Sequence, residues 1–148
     1  MIIHIIDQQP IYAMGMKKYL EQLLDDSATI FTYKAINSIR TKELERSELI
    51  IINLDLYEDI FYQQIDQLRK GKAGFKLLGL VGSEKRDLLF KVNLKIFDAL
   101  VINSVILDEL RILFSFFHEN KKYYSPEIIE YINNHHLQRF KHIDYERN

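Results

Sequence analysis

Apolar and polar positions follow two alternating rhythms along this chain. Short runs of aliphatic, β-branched and aromatic residues recur, and between them apolar residues return every three or four positions, as on one face of a helix. Residues 2–6 (IIHII), 29–34 (TIFTYK), 49–53 (LIIIN), 76–81 (KLLGLV) and 99–102 (ALVI) read as strands. The run Ile50-Ile51-Ile52 is apolar on both faces and turns polar only at Asn53, as expected of a central strand in a covered parallel sheet. Pro10 opens a helix whose buried stripe is Tyr12, Met16, Tyr19, Leu20, Leu23 and Leu24. A short polar helix is expected over 37–45, and Ile60, Phe61, Tyr62, Ile65 and Leu68 mark another that ends near Gly71 and Gly74. Ser83 is placed to cap a helix carrying Leu88, Leu89, Val92 and Ile96. A further helix is expected from Val105 to His118, with Leu110, Leu113, Phe114 and Phe117 apolar. Ser125-Pro126 makes a cap and first turn for a last helix with Ile128, Ile129 and Ile132.

Five strands interleaved with helices predict a doubly wound, flavodoxin-like α/β fold, its parallel sheet in the order 2-1-3-4-5, with an extra C-terminal helix. Chemistry in such sheets gathers beyond the carboxyl ends of the strands, which directs attention to Asn53 and Asp55. A chain of 148 residues suits one hydrophobic core. Lys and Arg number 20 against 21 Asp and Glu, so there is no electrostatic reason for these residues to bind nucleic acid strongly. The absence of cysteine excludes disulfides, thiolate metal sites and a Cys nucleophile. No apolar run reaches membrane-spanning length and the start turns acidic at Asp7, so the expected location is cytoplasmic.

Several motifs, in order and at matching spacing, resemble the receiver domain of bacterial two-component response regulators, in particular the NarL/FixJ subfamily that carries a LuxR-type helix-turn-helix. The stretch Ile6-Asp7-Gln8-Gln9-Pro10, with Gly15 five residues after the proline, is similar to that family's strand, acidic pair, Pro and helix. Tyr123-Tyr124-Ser125-Pro126-Glu127 is similar to its Tyr-x-Ser-Pro segment, and the likeness runs over about residues 1–135. The resemblance implies a CheY-like fold. It divides the chain into a receiver-like domain over 1–122 and an extra helix and linker over 123–148, leading toward a C-terminal DNA-binding domain that this chain does not contain.

The same resemblance shows what has been replaced. A working receiver holds Mg²⁺ with two acidic side chains and the phosphoacceptor aspartate, and hard oxygen donors are what that ion requires. Asp7 keeps the first acidic place and Gln8 takes the second. Asn53 stands at the acceptor, where an amide is neither a carboxylate nucleophile nor a charge for the metal. Val81 replaces the hydroxyl residue that bonds the phosphoryl group, and Asn103 replaces the lysine that pairs with it. Leu100 takes the place of the switch aromatic. The expectation is a degenerate phosphorylation site, a pseudo-receiver with weak or absent Mg²⁺ binding, no cofactor and no enzymatic activity. It would act by protein contact, as a homodimer through receiver helices, with a histidine kinase or another protein as partner, DNA reached only through the missing domain, and no membrane.

Two rival expectations stand beside it. Asp55 lies two residues beyond Asn53, so a continuing strand would turn it to the same face and make it an alternative phosphoacceptor; the plainer reading is that it opens a polar loop with Glu58 and Asp59. Asp7, Gln8 and Asn53 could instead line a small-ligand pocket. Phe90, Phe97 and Leu100 load one region with apolar surface and are candidates for the interface. His4, inside an apolar strand, reads as a hydrogen-bonded core or edge residue, and the adjacent pair His135-His136 as solvated. Gly79 and Gly82 lack the spacing of a phosphate-binding loop. Lys17-Lys18 and Lys121-Lys122 read as solvated faces. The polar stretch Gln138 to Asn148 has the composition of a linker.

Overall fold

The computed structural model describes residues 1–36, 39–55, 64, 67, 69 and 74–137, apart from the side chains of Asp26 and Thr41. The helix expected around Ile60, Phe61, Tyr62, Ile65 and Leu68, the loop residues Glu58 and Asp59, and the stretch 138–148 lie outside the described residues.

The strands form where the apolar runs lie: β1 (Ile2–Ile6), β2 (Thr29–Tyr33), β3 (Leu49–Asn53), β4 (Lys76–Val81) and β5 (Ala99–Ile102). All pairings are parallel, and the order β2-β1-β3-β4-β5 is the one expected. A sixth strand, β6 (Tyr123–Tyr124), adds to the edge beside β5. Two tyrosines favour an extended, half-covered edge, but a two-residue strand carries too little period for the pattern to reveal.

The pleat sends alternate residues to opposite faces. On one face Ile3, Ile5, Ile51, Leu78, Leu80 and Val101 pack under Ala13, Met16 and Leu20 of α1 (Pro10–Leu24) and Leu110 and Leu113 of α3 (Ile106–His118). On the other, Ile50, Ile52, Leu77, Leu100 and Ile102 pack with Phe97, Leu88, Leu89 and the helix α4 (Pro126–Asn134). The short α2 (Thr41–Arg46) begins later than expected, with Leu44 against that second core.

Two elements correct the sequence reading. The helix expected from Ser83 is no α-helix. The chain makes a 3-10 segment over Ser83–Phe90, broken at Lys85 (φ −115°, ψ 20°), and another over Leu94–Ile96. Ser83 makes no capping bond; Asn93 restarts the chain by accepting from the Lys95 N–H at 3.3 Å. Leu88, Leu89, Val92, Leu94 and Phe97 are all buried. That many inward residues in so short a stretch exceeds what one helical stripe can bury, and tighter, broken turns accommodate them.

Ser125 precedes α4 as expected, yet its hydroxyl does not cap the helix. It accepts from the Ile102 N–H at 3.1 Å and reaches the Glu109 carboxylate at 3.1 Å, tying β5 to α3. Tyr124, Ile128 and Ile132 are buried in the same core as β3 and β5.

Gly79 has a packing role. A Cβ there would lie 2.8 Å from Leu100 and 3.0 Å from Phe97, so its bare backbone lets these side chains cross β4.

Candidate functional site

β1, β3 and β4 bring Asp7, Asn53, Val81 and Gly82 together at the carboxyl end of the sheet, with Asp55 one step past β3. Asp7 and Asn53 are each 3% exposed, so every polar atom they carry must find a partner inside the protein. They find it in each other and in the backbone that follows each of them. Asn53 Nδ2 donates to Asp7 Oδ2 at 3.2 Å, and the Gln9 N–H donates to Asp7 Oδ1 at 2.8 Å. Asn53 Oδ1 in turn accepts from the Asp55 N–H at 3.1 Å. An amide N–H therefore points at the carboxylate oxygen that a metal-binding site would offer to a cation.

Asp55 does not simply open a solvated loop. Its Oδ1 accepts from the Gly82 N–H at 2.8 Å, joining the end of β3 to the turn after β4. A Cβ at Gly82 would fall 2.6 Å from Asp55 Oδ2, so a side chain there would have to push this carboxylate aside. Burial pushes the Asp55 carboxyl above its usual range; the Gly82 hydrogen bond and the Lys85 ammonium pull it down, and Glu84 and Asp7 push it up.

The other positions are apart from this chain of bonds. Gln8 is exposed. Val81 is fully buried and presents no hydroxyl. Asn103 opens the 3-10 segment Asn103–Val105, and its Oδ1 is buried without a partner among the described residues. It borders a groove of about 290 Å³ between α1 and the start of α3, lined also by Ile11, Tyr12, Gly15 and Leu107. Gly82 and Lys85 were not singled out for this site by the sequence; the only signal was that they follow β4, beyond whose end such sites lie.

Leu100 and Phe97 are fully buried and cannot form the interface expected of them, because they are the packing around Gly79. Phe90 is 48% exposed and packs edge-on against Tyr131 and His135 of the C-terminal helix region, with Arg86 over the Tyr131 ring and paired with Glu127. His135 is thus half of a stack with Tyr131 rather than a freely solvated ring. The exposed apolar residues that remain include Ile11, Tyr12, Met14, Leu107 and Ile112, on α1 and α3.

The donor set does not fit a Mg²⁺ site. Both Asp7 oxygens accept from N–H groups, Asn53 brings no charge, and among the described residues no group of three or more acidic or imidazole side chains could hold a metal ion. Asn53 offers an amide rather than a carboxylate, and neither Val81 nor Asn103 offers a hydroxyl or an ammonium.

No family profile matches the chain, and no curated protein matches it. Solved structures do. The RcsB response regulator of Salmonella typhimurium superposes with a TM-score of 0.71 at 17% identity, over 88% of this chain and 65% of that one. RcsB has also been solved as dimers bound to two parallel DNAs. The isolated REC domain of RcsB from Salmonella enterica serovar Typhimurium, with the phosphomimetic BeF3-, gives 0.70 at 17% identity over 88% and 96%. A LuxR family DNA-binding response regulator from Silicibacter pomeroyi gives 0.64 at 15% over 84% and 96%. The chain thus spans somewhat under two thirds of the RcsB regulator and nearly all of the isolated domain. These likenesses define the class of fold, that of the CheY-like receiver domains of response regulators.

Proposed function

We propose that this chain is the receiver-like regulatory domain of a response regulator controlling transcription, and that it works by protein contact without being phosphorylated. The observation that carries the reading is the Asn53–Asp7 hydrogen bond at the carboxyl end of a receiver fold. Where phosphoryl transfer depends on a nucleophile, a metal and opposing positive charge, this site has satisfied its own polar atoms instead. It has no role as an enzyme in this account.

Regulation then rests on assembly. The proposed contact is homodimerisation through α1 and α3, where Ile11 is 89% exposed beside Tyr12 and Leu107 at 41% and 44%. Apolar side chains clustered in this way favour a partner surface over water. The dimers of RcsB on DNA, a protein of the same fold, support a dimeric arrangement. A histidine kinase or another protein is the proposed upstream partner and the cytoplasm the proposed location; among the described residues no helix is long and apolar enough to cross a membrane.

Sedimentation of the whole chain tests this. The expected result is one dimer population that is unchanged by Mg²⁺ and a phosphodonor and is shifted to monomer by Ile11→Glu. A monomer that dimerises only with the phosphodonor overturns the reading in favour of a conventional switch acting through Asp55.

A further inference from the structure

A second site lies over the N-terminal halves of β1 and β2, away from the carboxyl ends of the strands. A cavity of about 210 Å³ is lined there by Ile2, His4, Thr29, Phe31, Glu43 and Arg46. His4 is 1% exposed, and neither Nδ1 nor Nε2 has a hydrogen-bond partner among the described residues. An imidazole buried in this way loses the hydration of both nitrogens and gains nothing from the protein in return. An isoleucine or phenylalanine at this position of the strand would avoid that cost.

The surroundings are those of a recognition site. The His4 ring stacks with Phe31 directly across the strand pair, centroids 5.5 Å apart, and with Tyr33 at 5.8 Å. Phe31 is 43% exposed, so part of an aromatic ring is left open beside the imidazole. From α2, Glu43 and Arg46 add a carboxylate and a guanidinium whose charges cancel across the cavity. Glu43 already accepts from the Tyr33 hydroxyl at 2.6 Å and is held in place by it.

We propose that this cavity binds an uncharged planar heterocycle of about purine size, stacked along Phe31, and that its binding turns the buried His4 ring so that a nitrogen hydrogen-bonds to it. The balanced pair of charges asks for no net charge on the ligand. An exposed aromatic face favours a flat ring, and a neutral imidazole offers one donor and one acceptor, which a rim carrying both can meet. The volume admits a one- or two-ring molecule and not a nucleotide. Burial holds the His4 pKa below the ordinary value, which keeps the ring in this neutral form.

The test uses the full chain labelled with ¹⁵N in histidine and titrated with adenine, following the His4 ring nitrogens. A saturable shift with a Kd of about 1 mM is expected for so small a ligand. His4→Phe preserves the stack and removes the nitrogens; Phe31→Ala, at an exposed position, removes the platform. Each is expected to weaken binding at least tenfold by ligand-observed saturation transfer. Absence of a saturable His4 shift overturns the proposal. So does toluene binding as well as adenine with His4→Phe making no difference, since the cavity is then a plain apolar crevice.

Discussion

The proposed function turns on one residue, Asn53, whose buried amide stabilises Asp7 by donating to it. Asn53→Asp brings a second carboxylate against Asp7 in a buried place and removes that donor. The expected loss is about 1–3 kcal/mol in the absence of divalent cations, read from denaturant melts. Part of it should return with Mg²⁺ in the variant, while the wild type gains nothing. Asp55 behaves oppositely to a residue whose charge stabilises the fold. Burial raises its pKa above the ordinary value of 3.8, so its ionised form is disfavoured in the native state. The associated stability is full below that value and is lost as pH rises through the higher folded pKa. Asp55→Asn keeps an acceptor for Gly82 without the charge, and is expected to be at least as stable as wild type at neutral pH. Asp55→Ala, which leaves the Gly82 N–H unpaired, should be less stable by about 1–3 kcal/mol.

His4 carries a pH dependence of the other sign. Its folded pKa lies below 6.5 because burial outweighs the attraction of Glu43. Its neutral form supports the fold above 6.5, and that support falls away as pH drops from there through the folded value. Comparing wild type with His4→Phe across this window should show the wild type losing stability on acidification more steeply than the variant.

Among the elements, the part of the chain after β5 is the most consequential. β6 pairs with β5, and Ile128 and Ile132 of α4 are buried against the sheet. We expect Ile128→Ala to cost about 2–5 kcal/mol, the range for an emptied core position, and a chain ended at Lys122 to lose cooperative unfolding altogether. The sequence showed the helix plainly, through Pro126 and its three isoleucines, but not its partner. Burial against the sheet is a tertiary fact with no local signature. The stretch after Ser83 fails for a related reason: a capping serine and well-spaced leucines are present, and Asn93 together with the density of buried residues overrides them. That Asp7, Asn53 and Val81 lie at neighbouring strand ends was legible, because the ends of the apolar runs and the parallel order carry that information. It could not show that Asp55 reaches Gly82, since a residue past the end of a strand has no fixed direction. Nor could it show that Leu100 and Phe97 are interior, because an apolar residue is equally apt for a core and for an interface.

At the scale of the whole molecule, a CheY-like fold carries at its strand ends a buried Asp7–Asn53 pair, which the proposed function reads as a site without nucleophile, metal donors or phosphate contacts. Among the described residues, its outward-facing features include the apolar surface of α1 and α3 and the cavity at His4. The joint from Asp55 to Gly82, and from the segment that follows through Phe90 and Arg86 to Tyr131, links the site to the C-terminal helix by direct contact. Whether that linkage still answers to phosphate is settled by the intact mass of the chain after incubation with Mg²⁺ and acetyl phosphate. The account predicts no adduct. A single added phosphoryl group that disappears in Asp55→Asn would contradict it and identify Asp55 as a displaced acceptor.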